Sequence, residues 1–468
     1  MSMARRGNEV TANQIEKLTG DPSGSTTFSA KPHRVIVFSR YPTPGVTKTR
    51  MIPALGAERA ARLQHSLTSL TLGVASDYRA DRPCDLEVRF VGGDPTLMRE
   101  AFGTEKRYLL QRGVSLGERL VDAFAVAFNE GATRVVVIGS DCPEISSTIL
   151  DEAINALSHA DVVLGPAIDG GYYLIGLNTN QPQLFQGIDW GSGSVLRDTI
   201  AKAKHSQCKV HRLQTLSDVD YPEDLVTCRR NPEAFGNVLP LTRDGVLSVI
   251  VPTLNEERCI EQTLSRMVGI PNVEVVVADG GSEDSTIDIA RNMGATIVSA
   301  KPGRGRQMNA GAAIATGDVL LFLHADTQVP DSFHQHVRAT LQHGVIAGAF
   351  SLRIDGDDFG LRWIEKGVNL RSRFLGRPYG DQGLFVSASC FFKIGGFPNW
   401  PLMEDVEFGS RLRKYGSISL AEAAVTTSAR RWLRLGIPKT TLINQLCIAG
   451  FCLGIPSETL HRWYRSRR

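Results

Sequence analysis

Short apolar runs rich in β-branched residues, each closing on polar or acidic residues, recur along this chain in two successive sets. The first includes RVIVFSR (34–40), RVVVIGSD (134–141) and DVVLGPAID (161–169). The second includes LSVIVPTLNEE (247–257), VEVVVADGGSED (273–284), ATIVSA (295–300) and DVLLFLHADT (318–327). Helix-period segments separate the runs, which is the pattern of parallel strands joined by crossover helices. Open α/β sheets bind ligands beyond the carboxyl ends of their strands, where these runs place Asp141 and Asp326. The echo is one of architecture; the two sets do not align residue by residue.

A chain of 468 residues exceeds the single-domain range of about 100–200, so two domains are expected. The expected divisions are a disordered leader at 1–31, a first domain at 32–230, a linker at 231–245 containing Pro, Gly and Asn, and a second domain at 246–468. The leader has no apolar core of a secretory signal. With 42% hydrophobic and 22% charged residues, the chain can bury a large core and is not disordered overall. A net charge of +3 gives no domain-wide basic face, which argues against nucleic acid as a partner. The eight cysteines form no CxxC pair and no zinc spacing, as expected of reduced thiols in a cytoplasmic protein.

The apolar stretch 442–455 has 14 positions, fewer than the roughly 20 a membrane span requires. It is expected to be a buried terminal helix or a homo-oligomer contact. The alternative is peripheral docking of 442–468 on the inner face of the cell membrane, because HRWYRSRR follows.

In the second set, Pro252, Asn255, Glu256 and Asp279 stand at or just beyond two strands, where a nucleotide base and ribose find hydrogen-bond partners. Gly280 and Gly281 would let backbone approach a ligand, with Ser282–Asp284 opening or capping a helix. Arg304, Arg306 and Asn309 lead from a Gly-rich segment into a helix, a diphosphate-binding arrangement unless they are solvated surface residues. Asp326 could hold the divalent cation that offsets a diphosphate's charge, with Mn²⁺ as suitable as Mg²⁺ because the His324 imidazole is close. The literal Asp355-Gly356-Asp357 triplet reads as a turn. Asp405 or Glu404 could serve as general base towards an acceptor hydroxyl, or cap the helix that follows. Asp381 and Gln382, in GDQG, are candidates for substrate contact or a turn.

Taken in order, SVIVPTLNEE, ADGGSEDST, GRGRQMNAGAAIATGD, FLHADT and MEDVEFGSRLRKYG resemble the family 2 glycosyltransferases over about 247–418. The resemblance implies the doubly wound GT-A fold, a nucleoside-diphosphate-sugar donor, Asp405 as the better base and Glu404 as an acceptor contact or a supporting residue. A carboxylate base acting in a single displacement would invert the anomeric centre. His324 departs from the family's usual Asp at the first position of its metal triplet. The motif set looks most like the type associated with arsenosugar biosynthesis, whose members also carry carotenoid-type labels; the small-molecule or lipid acceptor is therefore open.

In the first set, SRYPTPGVTKTRM (39–51) is not a Walker A loop, yet Lys48 and Arg50 after a strand could hold a triphosphate or be surface residues. With GSDCPEIS, AIDGGYYLIGL and DVDYPEDL, it resembles nucleotidyltransferase-like GT-A proteins over about 34–227, particularly a family of uncharacterised, DUF2064-like transferases. That resemblance implies a metal at Asp141 and Asp220 and a substrate cavity lined by Asp169 and Gly170. Asp218 and Asp224 read as helix caps.

The expected whole is an α/β protein of two tandem GT-A (nucleotide-diphospho-sugar transferase, Rossmann-like) domains with mostly parallel sheets. The expected function is glycosyl transfer using Mg²⁺ or Mn²⁺, fused to a nucleotidyltransferase-like domain that makes or binds the sugar nucleotide. The alternatives are a non-catalytic regulatory nucleotide-binding module in the first half, and a membrane-surface assembly protein with decayed sites.

Overall fold

The computed structural model describes residues 32–342 and 344–466, so the leader expected at 1–31 lies outside the described residues. The first half contains β1 (His33–Arg40), β2 (Cys84–Val91), β3 (Arg107–Leu110), β4 (Arg134–Gly139), β5 (Val162–Pro166), β6 (Tyr172–Leu177) and β7 (Val210–Arg212). These pair in the order β3-β2-β1-β4-β6-β5-β7, with only β6 antiparallel to its neighbours. Continuous apolar runs follow from this topology, because helices cover both faces of a parallel sheet and β1 is buried from Arg34 through Ser39.

The second half contains β8 (Arg243–Thr253), β9 (Val273–Asp279), β10 (Thr296–Ser299), β11 (Gly317–Phe322), β12 (Thr327–Gln328), β13 (Ala347–Ile354), β14 (Leu384–Ser387) and β15 (Ile418–Thr427). Their order is β10-β9-β8-β11-β14-β13-β15-β12. Without the short β12, this is the first sheet's plan strand for strand, including the one reversed member, here β14. The architectural echo read from the apolar runs is therefore a repeated topology. In both sheets the chain direction of winding changes beside the first strand, between β1 and β4 and between β8 and β11. Loops leaving those strand ends form the crevice in which doubly wound folds bind ligands.

The halves share one apolar core. Met51, Leu55, Leu63 and Val219 from the first belong to the same buried cluster as Ile250, Val276, Met308 and Phe391 from the second. The segment 231–245 is part of this seam: Phe235, Val238 and Leu239 are buried in the cluster. Arg229 fastens the seam by donating to the carbonyls of Ala313 and Ala315 at 2.9 and 2.8 Å. Those carbonyls close the helix Arg304–Ile314, and Arg229 satisfies acceptors that a helix end otherwise leaves unpaired.

Beyond β15, the helices Ile437–Cys452 and Ser457–Ser466 fold back over the segment before Asp405. Ile443, Cys447 and Leu460 are buried against Met403, whereas Leu442, Leu446 and Leu453 face outward. No helix among the described residues is long and apolar enough to cross a membrane.

Candidate active site

Two loops leave the carboxyl ends of β8 and β9 and are laced together by hydrogen bonds. Asn255 N donates to Ser282 Oγ at 2.9 Å, and Glu283 N to Asn255 Oδ1 at 2.8 Å. Glu256 N donates to Thr286 Oγ1 at 2.8 Å. The Asp279 carboxylate accepts from Gly281 N and Ser282 N at 2.9 and 3.0 Å, so it shapes the turn that Gly280 and Gly281 make. Gly281 has φ +96°, a conformation costly for residues with Cβ. Beneath both loops, buried Gln307 donates to Thr253 O and Ala278 O at 2.7 and 3.0 Å, tying the helix Arg304–Ile314 to both strand ends.

Asp326 lies just beyond β11, and its Oδ2 is 3.3 Å from Arg430 Nη2; the same nitrogen is 3.2 Å from Glu256 Oε2. Burial raises the Glu256 pKa, opposed by Arg430. Thus carboxylates from the two switch-point loops converge on one cationic group. Burial lowers the His324 pKa to about 4, assisted by the nearby Arg304 charge and opposed by Asp326 and Asp405. The imidazole is accordingly neutral at neutral pH, with a ring nitrogen able to accept a proton or a cation.

Asp405 opens the helix Glu404–Leu412, directly after Met403 in the left-handed region at φ +67°. Its Oδ2 accepts from Gly380 N at 2.8 Å and its Oδ1 from Val406 N at 2.9 Å. A Cβ at Gly380 would lie 3.2 Å from Asp405 Oδ2 and 3.4 Å from His324 Nε2, so this glycine allows both groups close approach. Asp381, next in the turn, has a buried Oδ1 without a hydrogen-bond partner among the described residues. Burial, then repulsion from Asp405, raises its pKa to about 6.

In the first half, Lys48 occupies the analogous place between strand-end acids. Its Nζ is 2.7 Å from Asp141 Oδ1 and 3.0 Å from Asp220 Oδ1, and donates to Val219 O at 2.7 Å. Burial would lower the ammonium pKa, but Asp141 and Asp220 outweigh it and raise it. Asp169 orders its own turn through Gly171 N at 2.8 Å. Gly170 has φ +92°, and a Cβ there would lie 2.2 Å from Gly193 O. Burial, then the charges of Asp169 and Asp220, raises the Asp218 pKa to about 7. Of the six non-glycine residues with positive φ among those described, Lys48, Asn255 and Met403 belong to these two sites. Such strain commonly accompanies functional geometry.

A family model described as "Uncharacterized protein conserved in bacteria (DUF2064)" matches residues 74–192, and "Glycosyl transferase family 2" matches 248–395. The chain joins a DUF2064 domain to a family 2 glycosyltransferase domain. A PGL/p-HBAD biosynthesis glycosyltransferase of Mycobacterium bovis is 37% identical over 92 residues, covering 17% of this chain and 35% of the relative. The chain therefore spans about a third of that curated relative's length. A solved Desulfovibrio desulfuricans protein, provisionally classed as a nucleotide-diphospho-sugar transferase, is 32% identical, with 44% of this chain and 93% of that chain covered and a TM-score of 0.42. Glucosyl-3-phosphoglycerate synthase from Mycobacterium tuberculosis, solved with Mn²⁺, UDP and glucosyl-3-phosphoglycerate, is 21% identical over 43% of this chain and 78% of that chain, with a TM-score of 0.33.

In the glycosyltransferase domain, Pro252, Asn255, Glu256, Asp279, Gly280 and Gly281 meet in the paired loops, while Asp326, His324 and Asp405 gather about Gly380 and Arg430. Two of the candidate residues are engaged within the protein. Asn309 is buried and its amide is engaged with the Phe397 peptide, accepting at 2.9 Å and donating at 2.8 Å, so it holds a neighbouring loop. Glu404 is 2% exposed and pairs with Arg304 at 2.8 Å, the surroundings of a supporting residue, which is one of its two expected roles. Arg306 is half-buried on the first turn of its helix, within the electrostatic reach of Glu223 across the seam.

In the DUF2064 domain, Lys48, Asp141 and Asp220 come together as one ion cluster, with Arg50 at 3.3 Å from Asp220. Asp224 caps as expected, accepting from Tyr221 N and Asp220 N at 2.8 and 3.1 Å. Asp218 is a half-buried acid among acids, not the expected cap. The Asp355–Asp358 segment is a turn whose last residue caps the following helix. Arg430, which RRWLRLG (430–436) offers in sequence equally as part of a basic-aromatic element near an active site or as a surface or interface patch, lies at Asp326 and Glu256, and Gly380, given no individual role within GDQG, lies against Asp405.

Proposed function

We propose that the glycosyltransferase domain transfers a sugar from a nucleoside-diphosphate sugar to an acceptor hydroxyl with inversion. The convergence of Asp326, His324 and Asp405 beside the paired β8 and β9 loops carries this reading. Those loops offer Asn255, Glu256 and Asp279 for the nucleoside, and the start of the helix Arg304–Ile314, with Arg306, for its diphosphate. Asp405 removes the acceptor proton, the acceptor oxygen bonds to the anomeric carbon from the face opposite the diphosphate, and the bond to the leaving phosphate oxygen breaks with its electron pair. Gly380 N and Val406 N hold the base carboxylate while leaving each oxygen a further lone pair.

Asp326 and Glu256 already share one positive charge through Arg430, so the donor set suits a divalent cation, with neutral His324 close by. Among the described residues, no group of three or more His, Cys, Asp or Glu side chains forms a metal cage. Asp326 would hold Mn²⁺ or Mg²⁺, which would offset negative charge on the leaving diphosphate. The test is a panel of sugar nucleotides with each metal, scored for hydrolysis and transfer by mass spectrometry. No turnover or binding with any donor would remove the reading.

A different observation favours a nucleotide-binding module over a metal-dependent nucleotidyltransferase in the DUF2064 domain. Lys48 bridges the two acids on which such chemistry would place its cation. Release of pyrophosphate from nucleoside triphosphate and sugar phosphate, abolished by Asp141→Ala, would overturn this second reading.

A further inference from the structure

The helix Phe359–Leu375 packs one face inward and leaves a second apolar face uncovered by any of the described residues. Leu361, Ile364 and Val368 meet Leu352, Ile354 and Trp432 in a local core. On the other side, Phe359 is 74% exposed, Trp363 64%, Leu370 61% and Phe374 74%. Their spacing places all four within about 60° of arc at a helical period. Together they expose on the order of 500 Å² of apolar surface, the upper range for a monomer's largest patch. At the helix start, Ile437 lies 3.2 Å from where a Gly360 Cβ would be.

Charge identifies the occupant. The helix carries Arg362, Lys366, Arg371 and Arg373 against Glu365 alone, a net charge of +3. Lys366 and Arg373 are exposed on one flank of the apolar stripe. An apolar stripe with a basic border matches an anionic bilayer surface, whereas pairing with a second copy would oppose like charges.

We propose that Phe359–Leu375 is a docking surface for anionic lipid membranes. Within 442–465, Leu442, Leu446 and Leu453 face outward, while Ile443, Cys447 and Leu460 cover Met403. The docking helix also connects to the candidate base: Ser372 Oγ donates to Gln382 Oε1 at 2.7 Å, and Gly380 in the same turn donates to Asp405. This continuity points to an acceptor carried by a lipid, a corollary that rests on the glycosyltransferase reading; docking itself does not.

The test is flotation of the full chain with vesicles of phosphatidylcholine, with and without 30% phosphatidylglycerol as an order-of-magnitude anionic content. Wild type is expected to float with anionic vesicles, and the Phe359→Glu/Trp363→Glu/Phe374→Glu and Lys366→Glu/Arg373→Glu variants to bind at least about tenfold less. Circular dichroism melting and sugar-nucleotide binding unchanged from wild type establish that both variants are folded. Equal flotation of wild type and both variants, or none by wild type, overturns the proposal. So does a wild-type dimer in sedimentation that the triple variant converts to monomer. Flotation that depends on these residues in a chain that binds no sugar nucleotide would keep the docking surface and remove the glycosyltransferase reading.

Discussion

Arg430 Nη2 lies 3.3 Å from Asp326 Oδ2 and reaches Glu256 from the same position, so a side-chain cation spans the two switch-point loops. Both ion pairs are partly solvated, and exposed pairs are worth about 0.2–1 kcal/mol. Arg430→Ala is therefore expected to tighten Mn²⁺ binding without donor by about two- to fivefold, because the competing charge is gone. Electron paramagnetic resonance of free Mn²⁺ reads this directly. Unchanged affinity would show that guanidinium and metal do not compete.

Asp405→Asn keeps an acceptor oxygen for Gly380 N but loses the basic carboxylate. Turnover is expected to fall by about 10²–10⁴, with donor affinity preserved. Stopped assays and isothermal titration separate the two quantities, and product NMR reports the anomeric configuration. Near-wild-type turnover would remove Asp405 as base.

Lys48→Met leaves Asp141 and Asp220 facing each other without their ammonium partner. The carboxylates are partly exposed, so the expected loss is about 1–3 kcal/mol, below that for a fully buried pair. Millimolar Mg²⁺ should restore part of the melting temperature in the variant and leave wild type unmoved. Equal responses in both would argue that Lys48 does not occupy a cation's place.

The folded Asp381 carboxyl holds its proton up to about pH 6, whereas an unfolded one releases it near pH 4. Its contribution favours the folded state below about pH 4 and is lost as pH rises through about 6. Asp381→Asn removes that slope, so the variant should gain melting temperature relative to wild type between pH 4 and 7. A constant difference across this range would contradict the assignment.

Phe235 is buried in the cluster shared by both halves. Phe235→Ala should cost about 3–5 kcal/mol and shift a single calorimetric transition. Two separated transitions in wild type would refute a common core.

The strands were legible because a parallel sheet covered on both faces demands continuous apolar runs, and strand-end acids such as Asp141 and Asp326 follow from where those runs stop. The direction of β6 and β14 was not, since YYLIGL and LFVS read alike whichever way they run. Glu404 and Asp405 are adjacent in sequence yet take opposite surroundings once the helix begins at a left-handed Met403. Asn309 sits in a Gly-rich ligand-like pattern that is the same whether its amide meets a ligand or the Phe397 peptide. Arg430 meets Asp326 across 104 positions, a relation no local period encodes.

The filled seam also limits how the two domains can cooperate. Packed side chains hold the strand-end crevices of the two halves at a fixed separation, with no swinging linker between them among the described residues to bring one site to the other. Tyr221 stands at the seam between Arg50 at 4.8 Å and Lys301 at 3.4 Å, one ring touched by a cation from each half.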